Sequence, residues 1–138
     1  MHVDSQNLRV IPYKDSDHPE VAQFYLGNGW KVPPAAEILP DLGFLVIDES
    51  TGQKLAVGFL YETNSVLYLL EWTATNPAAP LKIRAKAFKL LVRTIQGLVK
   101  LKKPDGQIIQ FTPNESIVRA YKRLGFVDTE RATLLHWK

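Results

Sequence analysis

Thr112-Pro113-Asn114-Glu115-Ser116-Ile117-Val118-Arg119-Ala120-Tyr121-Lys122-Arg123-Leu124-Gly125-Phe126 reads as a strand end, a turn, one short helix and a glycine stop. Ile117, Tyr121 and Leu124 stand at i, i+4 and i+7, so they share one face of a short helix. Gly125 suits the left-handed position that closes a helix, and Phe126 restarts an extended segment. The helix start reads two ways. Thr112 and Glu115 make a capping box with Pro113 at the first helical position, or Asn114 is itself the cap.

Outward from this helix the period changes twice. Upstream, Gln107 to Phe111 is a strand, entered by the Asp105-Gly106 turn. Before it, Pro80 opens a long helix in which Ile83, Ala87, Leu90, Leu91, Thr94, Leu98 and Leu101 recur at helical spacing. Pro104 ends it. Earlier still, Gly43–Asp48, Gln53–Tyr61 and Ser65–Trp72 are apolar runs with short turns between them, an antiparallel meander. Their near-continuous apolarity predicts a sheet covered on both faces. Leu8–Tyr13 is a first strand, and a helix follows through Glu20–Tyr25. Thr133–Trp137 is expected to close the chain as a last strand. The order is β-α-β-β-β-α-β-α-β: an α/β fold with a mixed, largely antiparallel central sheet and helices on both faces. The passage from Val66 to Phe111 is expected to be a right-handed parallel crossover.

The chain has 138 residues, 46% hydrophobic and 22% charged, which fits one globular domain over 1–138. It has no cysteine, which removes disulfides and thiolate nucleophiles. No segment has the ~18 consecutive apolar residues of a membrane span. Met1–Val10 lacks the pattern of a secretory signal, so the cytoplasm is the expected location. His2, His18 and His136 share no metal spacing, and no metal site is expected. Charge is lopsided. Residues 1–71 carry four Lys/Arg against ten Asp/Glu, and residues 72–138 carry thirteen against four. Between Trp72 and Pro104 lie eight cations and no acid. This asymmetry implies an anionic partner near the second half: a phosphorylated cofactor, nucleic acid on the basic helix 80–103, or a membrane surface.

Asn114, Ile117, Tyr121 and Leu124-Gly125-Phe126 resemble a motif of the GNAT superfamily, the acyl-CoA-dependent N-acyltransferases, and the element order resembles the GNAT fold. The resemblance implies acetyl-CoA or another acyl-CoA as cofactor. It implies Tyr121 as proton donor to the departing sulfur, and Asn114 as a contact to the cofactor arm. The backbone of Leu70, Trp72 and Thr73 would lie along the pantetheine. The family's phosphate motif, Gln/Arg-x-x-Gly-x-Gly/Ala, finds its nearest match in Arg84-Ala85-Lys86-Ala87-Phe88-Lys89. Arg84 fits, while Ala87 and Lys89 replace the glycines. The phosphate loop is therefore degenerate, longer, or shifted to about Ala78–Lys82. Either Lys82, Arg84 and Lys86 supply charge in place of the glycines, or the cofactor has been lost. Glu71 interrupts an apolar run beside Trp72. It reads as the base that takes the amine proton, or as a strand-end carboxylate paired with the basic helix. In the family the early region lies over the acceptor, so its tryptophan and tyrosines would line a pocket or simply pack the loop.

The implied activity is N-acyl transfer from acetyl-CoA to a primary amine. With no cysteine to carry the acyl group, direct attack in a ternary complex is expected. The acceptor is a small-molecule or peptide amine, with a polyamine-like cation suggested by the acidic first half. The alternatives are a catalytically silent GNAT-fold binding protein and a nucleic-acid-binding module.

Overall fold

The computed structural model describes residues 7–112, 114–129 and 135. Five strands form one sheet in the order β1-β2-β3-β4-β5. They are β1 Leu8–Pro12, β2 Gly43–Asp48, β3 Lys54–Glu62, β4 Leu67–Thr75 and β5 Gln107–Ile109. The helices are α1 His18–Gly27, α2 Leu81–Lys102 and α3 Glu115–Arg123. This is the expected mixed α/β architecture. The closing strand expected over 133–137 lies, apart from Leu135, outside the described residues. β1 to β4 pair antiparallel in sequence order, and β4 pairs parallel with β5. The parallel step needs a crossover, and α2 supplies it.

The sheet is covered on both faces. On one, α2 and α3 close over Val46, Ala56, Leu60, Tyr68 and Leu70. On the other, Val21, Phe24 and Tyr25 of α1 pack on Leu45, Val57, Phe59 and Ala74. β3 is the central strand and buries Leu55 through Leu60 without a break, because Leu55, Ala56 and Leu60 serve one core and Val57 and Phe59 the other.

α2 buries Ala87, Phe88, Leu91, Val92, Ile95 and Val99. This stripe is rotated from the one expected from sequence, and Leu101, assigned to the core, is 84% exposed. The buried positions follow the i+4 row along which a long helix lies on a twisted sheet. The last turn has already left the strands. α3 begins at Asn114, whose Oδ1 accepts from the amides of Ser116 (2.9 Å) and Ile117 (3.3 Å). That settles the choice of cap. Gly125 follows the helix at φ +95°, the left-handed position where glycine costs least.

Candidate active site

β5 stops pairing with β4 at Leu69↔Ile109, while β4 continues to Thr75. Among the described residues no strand pairs with this edge of β4 from Leu70 onward. The result is a notch, walled by β4 on one side and by Gln110–Thr112, Asn114 and α3 on the other. Phe111 N–H bridges it, donating to Glu71 Oε1 at 3.3 Å.

The notch contains a defect in β4. The β3–β4 register slips between Val57 and Phe59, and Trp72 has φ +57°, a left-handed conformation for a bulky residue. This is a β-bulge, with one residue too many on β4. Cross-strand partners share a face, so Glu71, opposite Phe59, points to the α1 side. Trp72 packs on that side too. Thr73 turns to the opposite side, beside the tyrosine of α3. Glycine at 58 leaves room for this: a Cβ there would meet Leu91 Cδ2 and Thr73 Cγ2, each at 3.2 Å.

The bulge is held from below. Tyr25, 1% exposed, donates its hydroxyl to the Trp72 carbonyl at 2.5 Å. Trp72 Nε1 donates to Tyr61 Oη at 2.8 Å, and Tyr61 donates onward to the Ile38 carbonyl at 2.9 Å. The Trp30 ring lies 5.7 Å from that of Trp72 and 5.2 Å from that of Tyr25. Sequence reading had not singled out Tyr25 or Tyr61. Their contacts cross long loops, and the only signal was the aromatic content of the early region.

On the α2–α3 side, Tyr121 is 4% exposed, with Phe88 and Phe126 edge-on to its ring at 5.2 and 4.9 Å. Its hydroxyl donates to Thr73 Oγ1 at 3.1 Å. Burial raises its pKa; the Thr73 bond opposes this, and the Glu71 charge adds to it. Burial also raises the Glu71 carboxyl, against the Phe111 N–H, which lowers it. Tyr61 is raised by burial first, with Glu71 adding to the effect. The Glu71 charge thus reaches tyrosines on both sides of the strand.

The phosphate-side residues scatter. Arg84 to Lys89 lie inside α2, which already starts at Leu81. Ala87 has zero exposure and belongs to the core, so it cannot stand in a phosphate loop. Leu70 likewise turns its side chain into the core and offers only backbone to the notch. Ala85 is exposed. Lys86 lies on the far flank, lining a shallow groove with Leu8, Lys89, Leu90 and Arg93. Arg84 is committed to the fold: Nε donates to Thr75 Oγ1 (3.0 Å) and Nη2 to Asn28 Oδ1 (2.9 Å). Asn28 in turn donates to the Thr75 carbonyl, so one cluster ties α1, β4 and α2 together. Other cations of the basic run have internal work as well. Lys100 donates to the Gly106 carbonyl, Lys103 to the Ser65 carbonyl, and Lys102 pairs with Glu62.

The helix tip itself fits a diphosphate. Pro80 precedes α2, no side chain caps it, and its first turn has no acid. Ile83 and Arg84 donate to the Pro80 carbonyl, which leaves the Leu81 and Lys82 amides ahead of the helical ladder. Exposed Lys82 stands on the same turn. Such a tip attracts anions through its amides and its dipole.

No family model matches the sequence, and no curated protein matches it either. Solved structures do. A probable acetyltransferase superposes with TM-score 0.72 at 14% identity, over 94% of this chain and 99% of the other. The fold is that of the GNAT acetyltransferases. A GNAT-family acetyltransferase of Staphylococcus aureus gives TM-score 0.64 at 18% identity, covering 93% and 89% of the two chains. A Mycobacterium tuberculosis protein solved in complex with CoA and NLQ gives 0.59 at 17%, covering 92% and 76%. On this GNAT fold the notch beside the β4 bulge is the open end of the sheet. No helix of the described residues is long and apolar enough to cross a membrane.

Proposed function

We propose that the chain, acting as one domain over 1–138, is an N-acyltransferase that moves an acyl group from acetyl-CoA or a related thioester to a primary amine. One observation carries this reading. Just before the bulge β4 carries Glu71, a carboxylate of raised pKa, on one face, and just after it Thr73 meets the buried Tyr121 hydroxyl on the other, both where β5 leaves the strand unpaired. The M. tuberculosis neighbour solved with CoA supports an acyl-CoA ligand for the notch.

When bound, the thioester supplies the acyl group, and its sulfur is the leaving group. The amides of Leu81 and Lys82 with the Lys82 ammonium hold the diphosphate, which corresponds to the shifted loop at Ala78–Lys82. The unpaired edge from Leu70 to Thr73 hydrogen-bonds the amide arm, and Asn114 stands across the notch from it. Glu71 accepts the amine proton, directly or through one water, in its ionised form. Tyr121 stays protonated because burial raises its pKa. It stabilises the departing sulfur by a hydrogen bond more than by giving up its proton, since a thiol of pKa ~8.5 is the stronger acid. The amine attacks directly, as no cysteine can carry the acyl group.

The experiment is thermal melting with and without acetyl-CoA, followed by a thiol-release assay. A ligand at a hundred times its Kd adds ~2.7 kcal/mol. No shift with any CoA species overturns the enzyme reading. It would favour a GNAT fold that has kept its architecture without the cofactor, a reading drawn from the burial of Ala87 and the internal bonds of Arg84. A salt-sensitive shift with an oligonucleotide alone would favour the nucleic-acid reading.

A further inference from the structure

We infer that the acceptor is a monocationic primary amine carried on a flat apolar group, an arylalkylamine in chemical class. The inference rests on the acyl-transfer reading above and narrows its acceptor. The bulge sets Glu71 and Trp72 on the same face of the sheet, so a carboxylate and an indole adjoin where strand alternation would have separated them. Trp30 meets Trp72 at 51° with centroids 5.7 Å apart, and it is 40% exposed. The two rings make a corner that is partly open to solvent. A third ring, Tyr25, backs Trp30 edge-on.

The corner is preformed, because its loop is tied down at three points. His18 Nε2 bonds the Pro34 carbonyl at 3.0 Å, Tyr61 bonds the Ile38 carbonyl, and Trp30 N–H donates to the Tyr25 carbonyl at 3.0 Å. A rigid aromatic corner binds a flat group without an ordering cost.

Charge argues for one cation and no more. Four of the ten acids of the first half have cationic partners: Asp17 and Glu20 hold Lys54, Glu49 holds Arg9, and Glu62 holds Lys102. A polyamine needs several spaced carboxylates, and Glu71 is the one acid that β4 sets next to Trp72 on this face. In the transfer, the amine nitrogen forms the new N–C bond and the C–S bond breaks. The ammonium first gives one proton through Glu71 to solvent; after attack the nitrogen gives its second, which ends on the departing thiolate. The products are an N-acyl arylalkylamine and free CoA thiol.

The test uses the purified chain and acetyl-CoA, with thiol release as readout. The probes are 2-phenylethylamine and tryptamine against spermidine and a lysine-bearing peptide. The aryl amines are expected to show kcat/KM at least tenfold above the other two. Trp30→Ala is expected to raise KM for 2-phenylethylamine about tenfold with little change in kcat, the scale of one lost aromatic contact. Trp30→Phe should restore most of it. Equal or better turnover of spermidine or peptide, no turnover of aryl amines, or an unchanged KM in Trp30→Ala would each overturn the assignment. A melting shift with acetyl-CoA alongside any of these results leaves acyl transfer standing and removes only the acceptor class. Absence of that shift removes both.

Discussion

Tyr25→Phe is the sharpest probe of the bulge. The substitution deletes one oxygen, 1% exposed in its residue, from a bond to the Trp72 carbonyl. A buried acceptor that loses its donor costs about 1–3 kcal/mol. Trp72 at φ +57° also carries about 1–2 kcal/mol of backbone strain, which this bond helps to hold. A loss of about 2 kcal/mol is therefore expected. With an unfolding entropy of about 2.1 cal/mol/K per residue, the melting temperature of a 138-residue chain falls by about 7 °C. Tyr61→Phe supplies the control. It removes a hydroxyl bonded to the same tryptophan, but Tyr61 is only half-buried, so water replaces the lost partner. A drop of about 2 °C is expected there, from about 0.5 kcal/mol. Scanning calorimetry on both variants decides the matter. If Tyr25→Phe loses no more than Tyr61→Phe, the hydroxyl does not hold the bulge and the argument built on it is wrong.

Glu71→Gln should abolish most acyl transfer yet leave the protein as stable or more stable at neutral pH. The folded pKa of Glu71 lies above its unfolded value, so ionisation destabilises the fold. That cost is absent below the unfolded pKa of ~4.3 and appears as pH rises through the folded one. Urea melts at pH 4 and pH 7 should show the Gln variant gaining only at the higher pH, while wild-type kcat/KM rises over the same window. Tyr121→Phe should slow turnover roughly tenfold to a hundredfold with KM for acetyl-CoA nearly unchanged; steady-state kinetics with unaltered kcat would remove the tyrosine from the reaction. Gly27→Ala drives a Cβ to 2.4 Å from Pro77 Cγ. A net loss of about 1 kcal/mol is expected, overpacking outweighing the helix propensity gained, together with a raised KM for acetyl-CoA as the 76–80 loop shifts. A variant more stable than wild type would show that the loop yields freely.

The elements were legible because their periods are clean and their punctuation is local. Asn114 and Gly125 bracket α3 by their own chemistry, and the apolar runs of β2 to β4 need no partner to be recognised. Glu71 was singled out as the acid that interrupts an apolar run, and Trp72, Thr73 and Tyr121 by the family resemblance. What the sequence concealed was phase. A bulge is a relation between two strands, and nothing in Glu71-Trp72-Thr73 says that Gly58 opposite will let the register slip. The same holds for Arg84, which reads as a phosphate ligand until Thr75 and Asn28 are seen to occupy its guanidinium. The excess of cations between Trp72 and Pro104 looked like an external charge signal, yet Arg84, Lys100, Lys102 and Lys103 find acceptors on this chain itself.

The bulge does more than aim two side chains. Before it, Tyr68 and Leu70 face α2; after it, Thr73 and Thr75 do. One extra residue has moved β4 from even to odd phase. Without the shift, Thr73 and Thr75 would turn to the α1 side, Tyr121 would lose its acceptor, and Arg84 would lose one anchor of the cluster that sets the start of α2. The tip proposed to hold the diphosphate and the hydroxyl proposed for the sulfur both depend on the same added residue, which also brings Trp72 to the face of Glu71. A strained Trp72 on the unpaired edge of β4 is thus accounted for. Its backbone carries a cost of about 1–2 kcal/mol, and in exchange the two faces of one strand present different chemistry at the same height.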